Sequence, residues 1–219
     1  MDDCSAADET DPGFPRSLGR GRAFVYVLAC RNDSVFKVGF SRDPLDRWRT
    51  LHRRFFEFFD LERGVLVATD RVVEARRLER HLLRTFAGYE AFAPLVVAPS
   101  AAGHTEWLRG VLDEVVHFAE EDAKRHGFTS YRPVSDWLRP LLLERIDRLY
   151  GWTSRMLEAI SYATHNPSTS SGAATVEACE RQLRDVLDAY RALGIDVAAF
   201  VPENVRQWHA LASTHRTWA

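Results

Sequence analysis

Cysteine is scarce in this chain: Cys4, Cys30 and Cys179 stand far apart and are odd in number. With no CxxC pair and no Cys/His cluster, neither a disulfide framework nor a structural zinc site is expected. Long apolar runs are missing as well. Nothing approaches the roughly 18 consecutive apolar residues that a membrane-spanning helix needs. The acidic amino terminus lacks the positive and then apolar pattern of a secretory leader. These absences point to a soluble, cytoplasmic protein with no membrane partner. Neither sign of charge dominates, because the formal net charge is −2, so a polyanion-binding surface spread over the whole chain is not expected. A 46% hydrophobic and 27% charged composition excludes overall disorder. The 219 residues leave room for a domain of about 100 residues and a smaller companion.

The charge that is present is unevenly placed. Residues 1–20 hold five acids and two arginines, residues 21–90 hold fourteen basic and ten acidic residues, and residues 91–219 hold thirteen and sixteen. The central block alone is net positive and would welcome a phosphate backbone. Its basic residues are arginines except for Lys37, and the planar guanidinium suits bidentate phosphate contacts.

Residues 1–20 are small, acidic and broken by Pro and Gly, the composition of a disordered leader. Ala23–Cys30 and Val35–Phe40 then read as two strands of a hairpin around the turn residues Asn32-Asp33-Ser34. Ser41 or Asp43 can cap a helix with Pro44 in its first turn, which the apolar spacing carries to Phe59, and Gly64–Thr69 reads as a third strand. Asp70 is positioned to cap a helix over 71–86, and Leu95–Val97 reads as an edge strand. Beyond Thr105 the periodicity is helical, with Ser135 as the cap of a long helix and further helices over 176–193 and 203–213. The fold class expected is α/β: a small mixed or antiparallel sheet flanked by helices over residues 21–110, then an all-α region over 111–219 with a flexible linker at 164–175.

Four polar residues in the α/β part are candidates for chemistry. Tyr26 sits mid-strand, Lys37 lies in the second strand before Val38-Gly39, Arg47 falls on the first helix and Glu79 on the second. Antiparallel pairing brings Tyr26 near Lys37, and two helices on one sheet can carry Arg47 and Glu79 to its rim. Phe24-Val25-Tyr26, Lys37-Val38-Gly39, the run to Arg47, the Glu79 helix and Glu106-Trp107-Leu108 together resemble the GIY-YIG nuclease superfamily, in the phage and fungal branch where KIG replaces YIG. The resemblance spans roughly residues 23–108. It implies a metal-dependent endonuclease that hydrolyses phosphodiester bonds in DNA, with Mg²⁺ or Mn²⁺ held by Glu79.

Phosphodiester cleavage needs in-line attack by water and stabilisation of the charge that develops on the oxygens. One ion on one carboxylate would keep several waters, as Mg²⁺ prefers, and Arg47 would clamp a non-bridging oxygen. Tyr26 is the proton acceptor expected from the resemblance, although a phenol of pKa near 10 is a poor base unless Lys37 or the ion lowers it. Arg42, Arg49 and His52 are the expected substrate contacts. By composition alone, Arg47 and Arg49 fit a solvated helix face, and Glu74 competes with Glu79 for the acid role. The lysine in place of the family's second tyrosine suits an alternative, a catalytically inactive module that binds nucleic acid or protein. The acidic helical region is expected to make protein contacts, with a partner or a second copy of the chain.

Overall fold

Continuous β-forming sequence at Ala23–Cys30 becomes strand β1, buried along its whole length. In this computed structural model, residues 21–97, 101, 105–166 and 170–214 are described; the expected leader at 1–20 lies outside them. They fall into two compact units that divide between Leu138 and Arg139.

In the first unit, β1 pairs antiparallel with β2 (Val35–Ser41) and with β3 (Phe59–Thr69). Two short strands not expected from the sequence, β4 (Trp107–Arg109) and β5 (Thr129–Tyr131), extend the sheet to the order β4-β2-β1-β3-β5. The fold class is thus as expected, an antiparallel sheet with flanking helices followed by a helical region. Because strand side chains alternate, one face presents Val25, Val27, Phe36, Val38, Val65 and Val67. That face is covered by α3 (Val72–Thr85) and α4 (Leu112–His126) through Ala75, Leu78, Leu82, Val115, Val116 and Ala119. The other face carries Phe24 and Tyr26. It packs on Trp48 of α1 (Pro44–Leu51) and on Trp137 of α5 (Val134–Leu143), with ring centroids 5.6–5.9 Å apart.

Several boundaries moved, each for a local reason. The single helix expected over 44–59 stops at Leu51 and resumes as α2 (Phe55–Phe58). His52 is extended there, and its ring Nδ1 accepts the Arg54 N–H at 3.2 Å, a side-chain bond that competes with continued helix. Strand β3 begins five residues earlier than expected because Phe59 and Leu61 turn inward between polar neighbours. Its Gly64 lies against a β1 irregularity between Val27 and Ala29, where a Cβ would sit 2.6 Å from the Val27 carbonyl. Leu95–Val97 is a turn, not an edge strand. The domain edge expected at 110 also falls later: α4 fills the sheet's own core and β5 pairs with β3. Helical periodicity identified α4 but not the surface its apolar stripe would bury.

In the second unit, α6 (Leu149–His165) and α7 (Ser170–Ala192) bury Trp152, Met156, Ile160, Leu183, Val186 and Tyr190. The Tyr190 hydroxyl donates to the Leu142 carbonyl at 3.1 Å. Helix α8 spans Glu203–Thr214. The long helix expected from Ser135 is broken into α5 and α6 by a 3-10 turn at Ile146–Arg148. Of the linker expected at 164–175, residues 164–165 belong to α6 and 170–175 to α7, while 167–169 lie outside the described residues. Cys30 is a free buried thiol, whereas Cys179 is disulfide-bonded, a pairing the odd cysteine count did not predict. Among the described residues, no helix is long and apolar enough to cross a membrane.

Candidate active site

The register of β1 on β2 pairs Tyr26 with Gly39 and Leu28 with Lys37. Tyr26 and Lys37 therefore share a sheet face as diagonal neighbours. Gly39 is required by that closeness, since a Cβ there would lie 2.5 Å from the Tyr26 hydroxyl. Arg47 arrives from α1, whose buried stripe of Leu45, Trp48 and Leu51 seats the helix on the same face. Its guanidinium is hydrogen-bonded to the Tyr26 hydroxyl, and its Nη1 donates to the Ala101 carbonyl at 2.6 Å.

Glu79 comes from the opposite side of the sheet. Helix α3 buries Ala75, Leu78 and Leu82 against the core, and Glu79 stands at the border of that stripe, 9% exposed. Its carboxyl accepts the backbone N–H of Phe40. That donor is available because β4 pairs only with Val35, Phe36 and Lys37 and the Glu106 carbonyl takes the Val38 N–H, so β2 has no strand partner on this side beyond Val38. Helices on the two faces thus bring Arg47 and Glu79 within electrostatic reach of the same two buried groups, Tyr26 and Lys37.

A fifth group completes the cluster. Glu106 adopts φ +64°, an uncommon conformation for a residue with a Cβ. Its carbonyl accepts the Val38 N–H at 3.0 Å, and its carboxylate accepts from Lys37 Nζ at 2.7 Å. The same ammonium donates to the carbonyls of Val38 at 2.9 Å and Thr105 at 2.8 Å.

Burial governs the electrostatics. It pushes the Tyr26 phenol up to about 12, against the smaller downward pull of the Arg47 charge and hydrogen bond. Burial, reinforced by the Glu106 charge, pushes the Glu79 carboxyl up to about 7; Lys37, the Phe40 N–H and Arg76 draw it the other way. Lys37 is lowered by burial and partly restored by Glu106.

The five groups act on one another electrostatically, but Tyr26 and Lys37 do not line the solvent-open pocket that was expected. Tyr26 is 1% and Lys37 0% exposed. With its three protons on three acceptors, the Lys37 ammonium is engaged within the protein, and the positive charge acting on the phenol is that of Arg47. At about 12, the phenol is no proton acceptor near neutrality. The expected substrate contacts divide. Arg42 is exposed at the turn between β2 and α1. Arg49 is exposed too, but it lies about 200° round α1 from Arg47. His52 stacks on Phe58, with centroids 4.6 Å apart, and no hydrogen bond or ring contact among the described residues joins it to the cluster. Glu74 is accounted for separately: it accepts the Arg71 backbone N–H at 3.0 Å and pairs with the Arg71 side chain, closing the start of α3.

Residues 23–121 match the T5orf172 domain. The matched T5orf172 region runs from β1 into α4 and contains all five residues of the cluster. No curated protein and no solved structure matches the chain. Glu106 is the residue that sequence reasoning passed over. Its one signal was its place in Glu106-Trp107-Leu108, the last element of the GIY-YIG resemblance. Its charge on Glu79 and its hold on Lys37 come from contacts that cross 27 and 69 residues of chain.

Proposed function

We propose that this chain is a metal-dependent endonuclease that hydrolyses phosphodiester bonds in DNA, using a GIY-YIG-like site built from Arg47 and Glu79. The observation that supports the reading is that Arg47 and Glu79, carried by helices on opposite faces of the sheet, both act on Tyr26 and Lys37. A desolvated carboxyl held by a backbone N–H stands in the field of a second carboxyl, near a guanidinium fixed at two points. The T5orf172 match adds support, as that domain occurs in phage and bacterial nuclease-like proteins.

The donor set fits Mg²⁺ or Mn²⁺. The Glu79 carboxyl is the hard oxygen donor such a cation prefers, and the Glu106 charge that raises its proton affinity would also favour a cation there, although Lys37 already pairs with Glu106. Glu79 would hold the ion, and the Glu106 charge would favour it. When bound, such an ion supplies Lewis acidity to the phosphate and to the leaving 3′ oxygen.

The chain's own residues do the rest by positioning. Arg47 binds a non-bridging phosphate oxygen, with the Tyr26 hydroxyl and the Ala101 carbonyl fixing its plane. Lys37 ties Thr105 and Glu106 to β2 and keeps water from the back of the site. Arg42 and the other exposed arginines of the positive central block hold the DNA backbone. This reading places the protein in the cytoplasm. It leaves the C-terminal helices for protein contacts, which the exposed Tyr150 and Tyr162 of α6 favour.

A second reading, a module that binds nucleic acid or protein without cutting, is favoured by the closure of Tyr26 and Lys37. Supercoiled plasmid with Mg²⁺ or Mn²⁺ separates the two. The wild-type chain is expected to nick or linearise it, while Glu79→Ala and Arg47→Ala bind without cutting. Binding without cleavage by every form, wild type included, would leave the module.

A further inference from the structure

The solvent face of α3 is a ridge of arginines that leads into an exposed apolar tip. Arg76, Arg80 and Arg84 are all exposed, as are Arg77 and His81 beside them. Residues four apart lie about 6 Å along the helix and about 40° round it, so the three form one row. Glu79 lies about 60° from Arg76 on the side towards the sheet, which makes the ridge one wall of the proposed site.

The segment that follows α3 carries Tyr89 at 49%, Phe92 at 96%, Leu95 at 103% and Val96 at 63% exposure. Isolated exposed apolar residues are ordinary, but four within eight residues are not. Nor is the segment loose. The Ala91 N–H donates to the Trp107 carbonyl at 2.9 Å, Glu90 bridges to Leu108, and Val97 is buried after a turn closed on the Pro94 carbonyl at 3.0 Å. Trp107 neighbours Glu106 and has the Lys37 ammonium 5.7 Å from its ring. The tip is therefore fixed to the strand that borders the cluster.

The geometry points to a nucleic-acid groove wall in which the α3 arginines follow a phosphate backbone and Phe92 with Leu95 inserts between bases. The substrate class is then DNA with unpaired or weakly stacked bases beside the cut, at a bulge, nick or junction. This inference rests on the nuclease reading and adds its substrate preference. The charge of the ridge selects the partner: a polyanion lying along α3 brings flat apolar bases past the tip. A held aromatic meets those bases with little ordering to do.

The full-length chain is titrated against two labelled DNAs, an uninterrupted duplex and one with a short bulge containing 2-aminopurine. The wild type is expected to prefer the bulge and to raise the 2-aminopurine fluorescence as the base leaves its stack. Phe92→Ala with Leu95→Ala, both exposed and so compatible with folding, is expected to lose that rise. It should bind the bulge about 10-fold or more weakly while holding the plain duplex within about 2-fold, in line with alanine effects at stacking sites. Arg80→Ala and Arg84→Ala are expected to weaken both DNAs, each reducing the salt slope by about one. Unchanged bulge preference and fluorescence in the tip variant would overturn the insertion and leave the nuclease reading standing. A wild-type dimer in sedimentation that the tip variant dissolves would assign the tip to a second copy of the chain. Failure of the wild type to bind either DNA would remove both readings.

Discussion

Glu79 offers a test in which folding stability reports on the site. Its carboxyl goes from an ordinary 4.5 to about 7 in the folded protein. A group whose folded pKa is raised favours folding fully only below its unfolded pKa, here about 4.5. That contribution is lost as pH climbs through about 7, because the folded state must then ionise an acid that burial and Glu106 disfavour. At about 1.4 kcal/mol per pH unit, the complete shift corresponds to roughly 3 kcal/mol, of which about 2 kcal/mol falls between pH 5 and pH 8.5. Glu79→Gln keeps an acceptor for the Phe40 N–H and removes the ionisation. The variant should therefore stabilise the sheet unit little at pH 5 and by about 2 kcal/mol more at pH 8.5. Urea titrations of the full chain, read on the amide signals of β1 and β3, measure this unit apart from the C-terminal helices. Millimolar Mg²⁺ at pH 8.5 should raise the stability of the wild type and not of the variant. An equal effect of the substitution at both pH values would refute the desolvation reasoning. A magnesium response that survives Glu79→Gln would remove Glu79 as the metal ligand.

Two further substitutions bear on the buried side of the cluster. Gly39→Ala forces a Cβ to within 2.5 Å of the Tyr26 hydroxyl and should destabilise the sheet unit by about 1–3 kcal/mol, seen as a lower midpoint in the same urea titration. Tyr26→Phe removes the hydroxyl that holds Arg47 but no proton acceptor. Plasmid cleavage should slow by about 10-fold, with the shape of its rate profile between about pH 6 and pH 9 unchanged, whereas an essential base would have cost roughly 100-fold or more.

The legible part of the fold was the part whose signals are local. Ala23–Cys30 reads as a strand from its own composition, Asp43 caps α1 by accepting the Asp46 N–H at 3.1 Å, and Gly194 ends α7 with φ +70°. The strands β4 and β5, three residues each, have too little sequence to show a period and exist because β2 and β3 offer them edges. The candidate residues Tyr26, Lys37, Arg47 and Glu79 were legible through order and spacing. Their states were not. Lys37 reads as a surface ammonium until Thr105 and Glu106 close over it, and Tyr26 reads as a reactive phenol until Trp48 packs at 5.9 Å from its ring.

Sequence by itself determined the α/β order, the apolar stripes of α1 and α3 and the kinds of functional group available, because propensity, capping and periodicity act over a few residues. Tertiary structure alone decided which groups face solvent and how readily each gives up a proton. Those properties depend on the neighbours that long-range packing brings within a few ångströms. Glu79 holds its proton to about neutral pH because of burial and a carboxylate 27 positions away in the chain, and no local pattern encodes that distance.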